Sequence, residues 1–386
     1  MRTTISGNIR LTTPLHCAMP GEAVFTDEGF VKAGKTGGRP LTQTMRMPIV
    51  TSSGRVDIPY FPANDLRGRM RRKAAEIVMS AIKANGGVID DTVYLGLTAG
   101  TSVAAGENAQ FVEEILRARE NVYMGIFGGG LRMLRSGYAV QDMVPTIKAT
   151  ADAGLVPSAD IKGDGADWRV TTSVFDPESN KYKETDEVRL RDLTHVYQCL
   201  HVDDLMRVQR PADIDRLIDR KMVVDYQTAI LAERIVSKEH KKAVKEKTAG
   251  AEAAPARSRI ENMMAVQAIC AGTPMWFRAD VAAFASDAQI GLVILSLQAL
   301  FRENALGGWV RAGLGRVDAS GLSLAVRGGV AVPLFADASC TLTKGAEALA
   351  QAATKVVSAM TLADVEKFFT PAVELKASAA DLKKAA

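Results

Sequence analysis

Apolar residues at Leu66, Met70, Ala74, Ile77, Val78 and Ala81 recur at three- and four-residue spacing and mark one face of a helix starting near Asp65. The approach, Ile58-Pro59-Tyr60-Phe61-Pro62, is extended, because each proline fixes its own φ and keeps its predecessor out of the helical region. Asn64 is the predicted N-cap, and Asn85-Gly86-Gly87 ends the helix. Elsewhere alternation takes over. Ile5, Ile9 and Leu11, with Gly7 among them, predict a first strand over 3–13. Residues 42–50 and 55–61, joined at Ser52-Ser53-Gly54, predict a hairpin that delivers the chain to the helix. A short strand is expected over 93–98, and strands over 263–270 and 274–284 are expected to pair across Ala271-Gly272-Thr273. Residues 138–147 form a further apolar stretch, and a last core strand runs through Leu324. Helices are predicted over 107–120, with Phe111, Ile115 and Leu116 inward, and, capped by Asp287, through Ile290, Val293, Ile294, Leu297, Leu300 and Phe301. Two more are expected near 344–360 and 362–369.

Two stretches interrupt this pattern. Residues 14–40, with Gly21, Gly29, Gly34, Gly37 and Gly38, read as a long exposed loop. Residues 149–258 are polar and irregular apart from a helical pattern over 213–247, whose end carries Lys238, Lys241, Lys242, Lys245 and Lys247, and 248–255 reads as flexible.

Charge sharpens the picture at one place. The polar face of the Asp65 helix carries Arg67, Arg69, Arg71, Arg72 and Lys73, with Asp65 and Glu76 as the nearby carboxylates. Cations near a helix N-terminus gain nothing from the macrodipole, so they repel one another unless an anion arrives, and a phosphate backbone would satisfy both. A solvated charged face is the plainer alternative. The chain of 386 residues has a formal net charge of +4, so any nucleic-acid surface must come from such local clustering. Two glycine-rich turns could bring backbone close to a ligand: Gly125 to Arg132, with Gly128, Gly129 and Gly130 in succession, and Ala305 to Val317, where glycines alternate with arginines.

Three other candidate chemistries are weaker. Gly29 to Thr36 matches the letters of a phosphate-binding loop with Lys35 as its lysine, but Gly37-Gly38-Arg39-Pro40 cannot open the helix such a loop needs. His195, Cys199 and His201 share one side of a predicted strand without a fourth metal ligand at sensible spacing. The four cysteines, Cys17, Cys199, Cys270 and Cys340, lack paired spacing, which points to a reducing, cytoplasmic setting. No metal or other cofactor is expected, and neither a signal peptide nor a membrane span is legible.

Taken in order, Ile58 to Arg72, Gly125 to Arg132 and Leu306 to Arg316 resemble the RAMP superfamily of CRISPR-associated proteins, with Pro62-Ala63-Asn64-Asp65-Leu66-Arg67-Gly68 as the helix start, Phe127-Gly128-Gly129 as the middle turn and Gly307 to Arg316 as the final loop. Within it the likeness is to backbone subunits that polymerise along a CRISPR guide RNA, the type IV version in particular. The resemblance implies an α+β fold: a ferredoxin-like, RNA-recognition-motif-like palm over 1–148 and 260–330, with a finger insertion near 86–124. A thumb-like insertion over 149–259 and a C-terminal helical segment over 331–386 complete it. It implies guide phosphates on Arg67, Arg69, Arg71 and Arg72, and a groove shaped or lined by Gly128, Gly129, Gly130, Gly308, Arg311, Gly313 and Arg316. Arg207, Arg210, Lys241 and Lys242 are weaker candidates. Bases are splayed outward in such subunits, which suits an aromatic content of 6%.

The expected partners are guide RNA, target DNA or RNA through guide pairing, copies of the chain in a helical array, other effector subunits and a helicase. Related type III subunits cut target RNA with an acidic residue in the loop after the first strand. Asp27 and Glu28 occupy that loop here without a metal-binding cluster, so no nuclease activity is expected. The alternative is a RAMP endoribonuclease that processes precursor RNA. It needs a general acid–base, for which His16, directly after the first strand, is best placed among His16, His195, His201 and His240.

Overall fold

The computed structural model describes residues 1–19, 23–26, 29–32, 39–52, 54–100, 112–130, 133–161, 172–176, 181–185, 193–201, 219–229, 231–232, 262–303 and 306–369. The chain forms two compact units. The first comprises Met1–Met19, Gln43–His195 and Gln267–Ala386, and the second Pro20–Thr42 and Val196–Val266.

The first unit is built on β1 (Thr3–Leu11), α1 (Ala63–Ala84), β2 (Tyr138–Val140), β3 (Pro274–Val281), α2 (Asp287–Glu303) and β4 (Leu322–Ala325). The sheet runs in the order β4-β1-β3-β2, and every one of these neighbours is antiparallel. A strand-helix-strand-strand-helix-strand chain in that order is the ferredoxin-like arrangement, so the α+β palm expected from the sequence is present. Alternation explains β1: Ile5, Ile9 and Leu11 are fully buried. Gly7 shares their face at φ +147, and a Cβ there would lie 2.2 Å from the Gly321 carbonyl oxygen.

Helix α1 buries Leu66, Met70, Ala74, Ala75, Val78 and Ile82 against the sheet and α2. Each of its large apolar side chains contributes roughly 1.5–3 kcal/mol. Its end at Asn85, with Gly86 at φ +82, agrees with the sequence. Its start does not. Pro62 is the capping position, Asn64 lies inside the helix, and the Ala63 amide donates to Asp142 Oδ1 at 2.7 Å, so the capping carboxylate comes from a distant segment. A helix at Lys344–Ser358 packs on α2, where a Cβ on Gly291 would fall 1.9 Å from the Leu349 carbonyl oxygen.

Four further expectations are corrected. Residues 93–98 lie in a helix, Asp91–Ala99, because Asp90 Oδ1 accepts the Val93 amide at 2.7 Å and Gly100 closes the other end in the left-handed conformation. In the helix Val112–Glu120, Leu116 is exposed and Ala118 is buried in its stead, while Phe111 lies outside the described residues. The strand Asn262–Ile269 does not pair with β3. It joins the second unit's sheet, whereas β1 pairs with β3 along its length. Residues 14–40 are not one loop. Leu15, His16 and Ala18 form isolated bridges, and Ala23–Thr26, Gly29–Lys32 and Arg39–Thr42 are strands.

The second unit holds a five-stranded sheet in the order Thr194–His201, Asn262–Ile269, Arg39–Thr42, Ala23–Thr26, Gly29–Lys32. A helix covers 220–229. The lysine stripe over 238–247, Arg207, Arg210, Asp27 and Glu28 lie outside the described residues. No helix among the described residues is long and apolar enough to cross a membrane.

Candidate nucleic-acid interface

The basic run of α1 divides between two faces, because residues four apart lie together while residues two apart point roughly oppositely. Arg69 and Lys73 share one side. Arg69 Nε meets Asp65 Oδ2 at 3.0 Å and its Nη2 donates to the Gly307 carbonyl at 2.9 Å. Lys73 pairs with Glu76 at 2.8 Å and with Glu303 at the end of α2. Lys73 loses to burial but gains more from these two carboxylates, and its pKa rises. The expectation that Asp65 and Glu76 alone neutralise these cations is therefore revised for this side: both pair as named, and Glu303 arrives in addition from a distant segment.

Arg67 and Arg71 occupy the other side and open onto a groove of about 800 Å³. Among the described residues its charged lining is Arg2, Arg67, Arg71, Arg119, Arg135 and Asp280: five guanidiniums to one carboxylate. That carboxylate is already engaged. Arg278 reaches it with Nε at 2.9 Å and Nη2 at 3.2 Å, and the Thr4 hydroxyl donates at 2.8 Å. Burial pushes Asp280 upward, but these donors outweigh it and hold the carboxyl below its usual range. Burial and the neighbouring Arg135 both lower the pKa of Arg119. An anion entering the groove would relieve that crowding.

Arg71 also holds the groove's floor. It donates to the Phe127 carbonyl and, at 3.3 Å, to the Gly128 carbonyl, at the end of the short helix Met124–Phe127. Gly128, Gly129 and Gly130 all have positive φ, and the space a Cβ would take at each is filled by this chain's own atoms. The Leu134 carbonyl would lie 2.2 Å from a Cβ on Gly128, and the Gly100 carbonyl 2.2 Å from one on Gly129. The triple glycine is thus a tight turn packed on Gly100, with the Gly130 amide donating to the Gly100 carbonyl at 3.0 Å. Tyr138 locks the wall. Its ring meets Phe127 edge-on at 5.2 Å, its hydroxyl donates to the Arg67 carbonyl at 3.4 Å, and burial pushes its pKa up to about 12.

The sequence-predicted residues therefore fall in two places. Arg67, Arg71 and Gly129 line the groove, with Gly128 and Gly130 in the same turn. Gly308, Arg311, Gly313 and Arg316 belong to the loop between α2 and β4, which Arg69 ties to α1 through Gly307. The Gly308 amide donates to the His16 carbonyl at 2.8 Å, and Arg311 and Arg316 are exposed. Arg72 is exposed and stands apart from both. Sequence reasoning missed Arg2, Arg119 and Arg135. Arg135 follows the glycine turn directly, a signal that was available, whereas Arg119 enters from a helix carrying no glycine or proline punctuation.

His16 cannot act as a general acid–base toward a substrate, being 1% exposed. Its Nδ1 lies 2.7 Å from the Gln267 carbonyl, which can only accept, so Nδ1 carries the proton. Nε2 is buried without a partner, and desolvation lowers the pKa despite that hydrogen bond. The phosphate-loop letters fail at their first four residues, Gly29–Lys32, which form a strand paired antiparallel with Ala23–Thr26, while Lys35 lies outside the described residues. No group of three His, Cys, Asp or Glu suited to a metal occurs among the described residues, and the side chains of Cys199 and His201 lie outside them.

No protein-family model matches the sequence, and no curated protein matches it. Among solved structures the chain is similar to a chain of a "Type IV-B CRISPR Complex". The two are 14% identical, the match spans 86% of this chain and 95% of that one, and the TM-score is 0.39, a superposition too loose to carry function across.

Proposed function

We propose that this chain is a non-catalytic, RNA-binding backbone subunit of a CRISPR ribonucleoprotein of type IV character, holding guide RNA by its phosphates and leaving the bases free to pair with target DNA or RNA. The observation that carries this reading is the groove with five arginines and one already-paired carboxylate, set between α1 and the β2 edge of a ferredoxin-like palm. Phosphates fit an arginine groove because guanidinium forks match their oxygens and are weakly hydrated. The ordered motifs that resemble the RAMP superfamily point the same way. Exposed Arg311 and Arg316 extend the binding surface to the far side of α1, and copies of the chain, other effector subunits and a helicase complete the assembly.

Co-expression with a repeat-spacer array, followed by light scattering with absorbance at 260 and 280 nm, tests this. A large particle holding a short RNA of uniform length is expected, and Arg67→Glu/Arg135→Glu should disperse it. Each lost phosphate contact should also reduce the salt dependence of binding, by about 0.7 in the log–log slope for a single strand. A nucleic-acid-free monomer would sink the reading.

A further inference from the structure

Phe284 is 56% exposed, and it stands at the rim of the arginine groove. More than half of this ring is open to water at the mouth of a groove whose charged lining is mostly arginine. Its position is fixed from below. The Ala282 amide donates to the Gly137 carbonyl at 2.8 Å, the Ala285 amide turns back to the Ala282 carbonyl at 3.1 Å, and Arg327 reaches the Ala285 carbonyl at 3.4 Å while pairing with Asp287 at 2.7 Å. Gly137 gives the ring its seat: a Cβ there would come within 3.2 Å of Phe284 Cζ. Arg119 covers one face, its Cζ 4.9 Å from the ring centroid, and is itself anchored by Nη1 to the Gly125 carbonyl at 3.1 Å.

We propose that the uncovered side of Phe284 is a stacking platform for one unpaired nucleobase, so that the groove receives a whole nucleotide: base on Phe284, phosphate among the guanidiniums. The inference rests on the RNA reading above and adds a base contact to it. A π-face is what every base offers, so the platform is indifferent to sequence, and the arginine behind the ring strengthens the stack. The other exposed aromatic among the described residues, Tyr94, does not line the groove.

The test compares the purified chain's affinity for two fluorescent single-stranded probes of equal phosphate number, an oligoadenylate and its abasic counterpart. Stacking of one base is worth about 1–3 kcal/mol, so Phe284→Ala should weaken oligoadenylate binding about fivefold or more, with an unchanged salt slope and unchanged affinity for the abasic probe. Phe284→Leu keeps apolar bulk without a π-face and should behave like Phe284→Ala, while Phe284→Trp should bind as the unmodified chain does. Oligoadenylate binding that is equal in the unmodified chain and in both truncating variants overturns the platform, and the RNA reading then survives if Arg67→Glu/Arg135→Glu still weakens both probes. If the unmodified chain binds neither probe, both readings fall.

Discussion

His16 carries its proton toward the Gln267 carbonyl and buries a bare lone pair on Nε2, so a second proton finds no acceptor. Its folded pKa lies below the ordinary 6.5, which means the unfolded chain binds protons first as pH falls. The contribution of His16 to stability is therefore greatest above about pH 6.5 and declines below it until the folded-state pKa is passed, by about 1.4 kcal/mol per pH unit while only the unfolded state is protonated. Urea unfolding at pH 7.5, 6.5 and 5.5 should show this decline in the unmodified chain and a shallower one in His16→Gln, whose side chain does not titrate. Parallel declines would refute the assignment. The adjacency of His16 to the first strand was legible, but its burial was not, because the segments that cover it, at Gln267 and Gly308, lie far along the chain.

Among the elements, the apolar faces and the glycine stop were legible, while the helix starts were not. Helix α1 has the long apolar face and the end at Asn85 that were expected, but Pro62 stands where Asn64 was expected to cap it, and Asp287, expected as the cap of α2, is that helix's first residue, with the Gln289 amide donating to Ser286 Oγ at 3.2 Å. The stretch 93–98 was misread because Val93 and Tyr94 favour strands, yet Asp90 and Gly100 stand at the two ends of a short helix, and those caps decided the outcome. Strand partnership was illegible in principle. Gly272 turns the chain between two apolar runs whichever neighbours they choose, and β3 chose β1. The groove was half legible: Arg67, Arg71 and Gly129 stand in conspicuous motifs, whereas Arg2, Arg119 and Arg135 meet them only through tertiary folding. The C-terminal helix Lys344–Ser358 belongs to the palm's own core, with Ala346, Leu349, Ala353 and Val357 in its main cluster. Gly291→Ala should force it off α2 and cost about 1–3 kcal/mol, read as a lowered thermal midpoint, since the obstructing atom is backbone and cannot rotate away. An unchanged midpoint would show that the two helices slide freely.

Across the whole molecule, a formal charge of +4 conceals a strongly uneven distribution, and the groove concentrates what the total dilutes. The chain leaves the first unit twice, after Met19 and after His195, and returns at Gln43 and Gln267. Both doorways are latched. The Met19 amide donates to the Gln43 carbonyl at 2.8 Å, and the Gln267 side chain donates to the Thr194 hydroxyl at 3.1 Å while accepting the Thr44 amide at 3.3 Å. Chain ends held this close need only a short turn to join them, and closing a short loop costs less entropy than closing a long one. A chain in which short glycine-serine turns replace 20–42 and 196–266 should therefore fold and unfold cooperatively, as followed by circular dichroism in urea, and aggregation or a non-cooperative transition would disprove it. The first unit thus closes on itself at both places where the chain leaves it, so its arginine groove and its four-stranded sheet are assembled without a residue from 20–42 or 196–266.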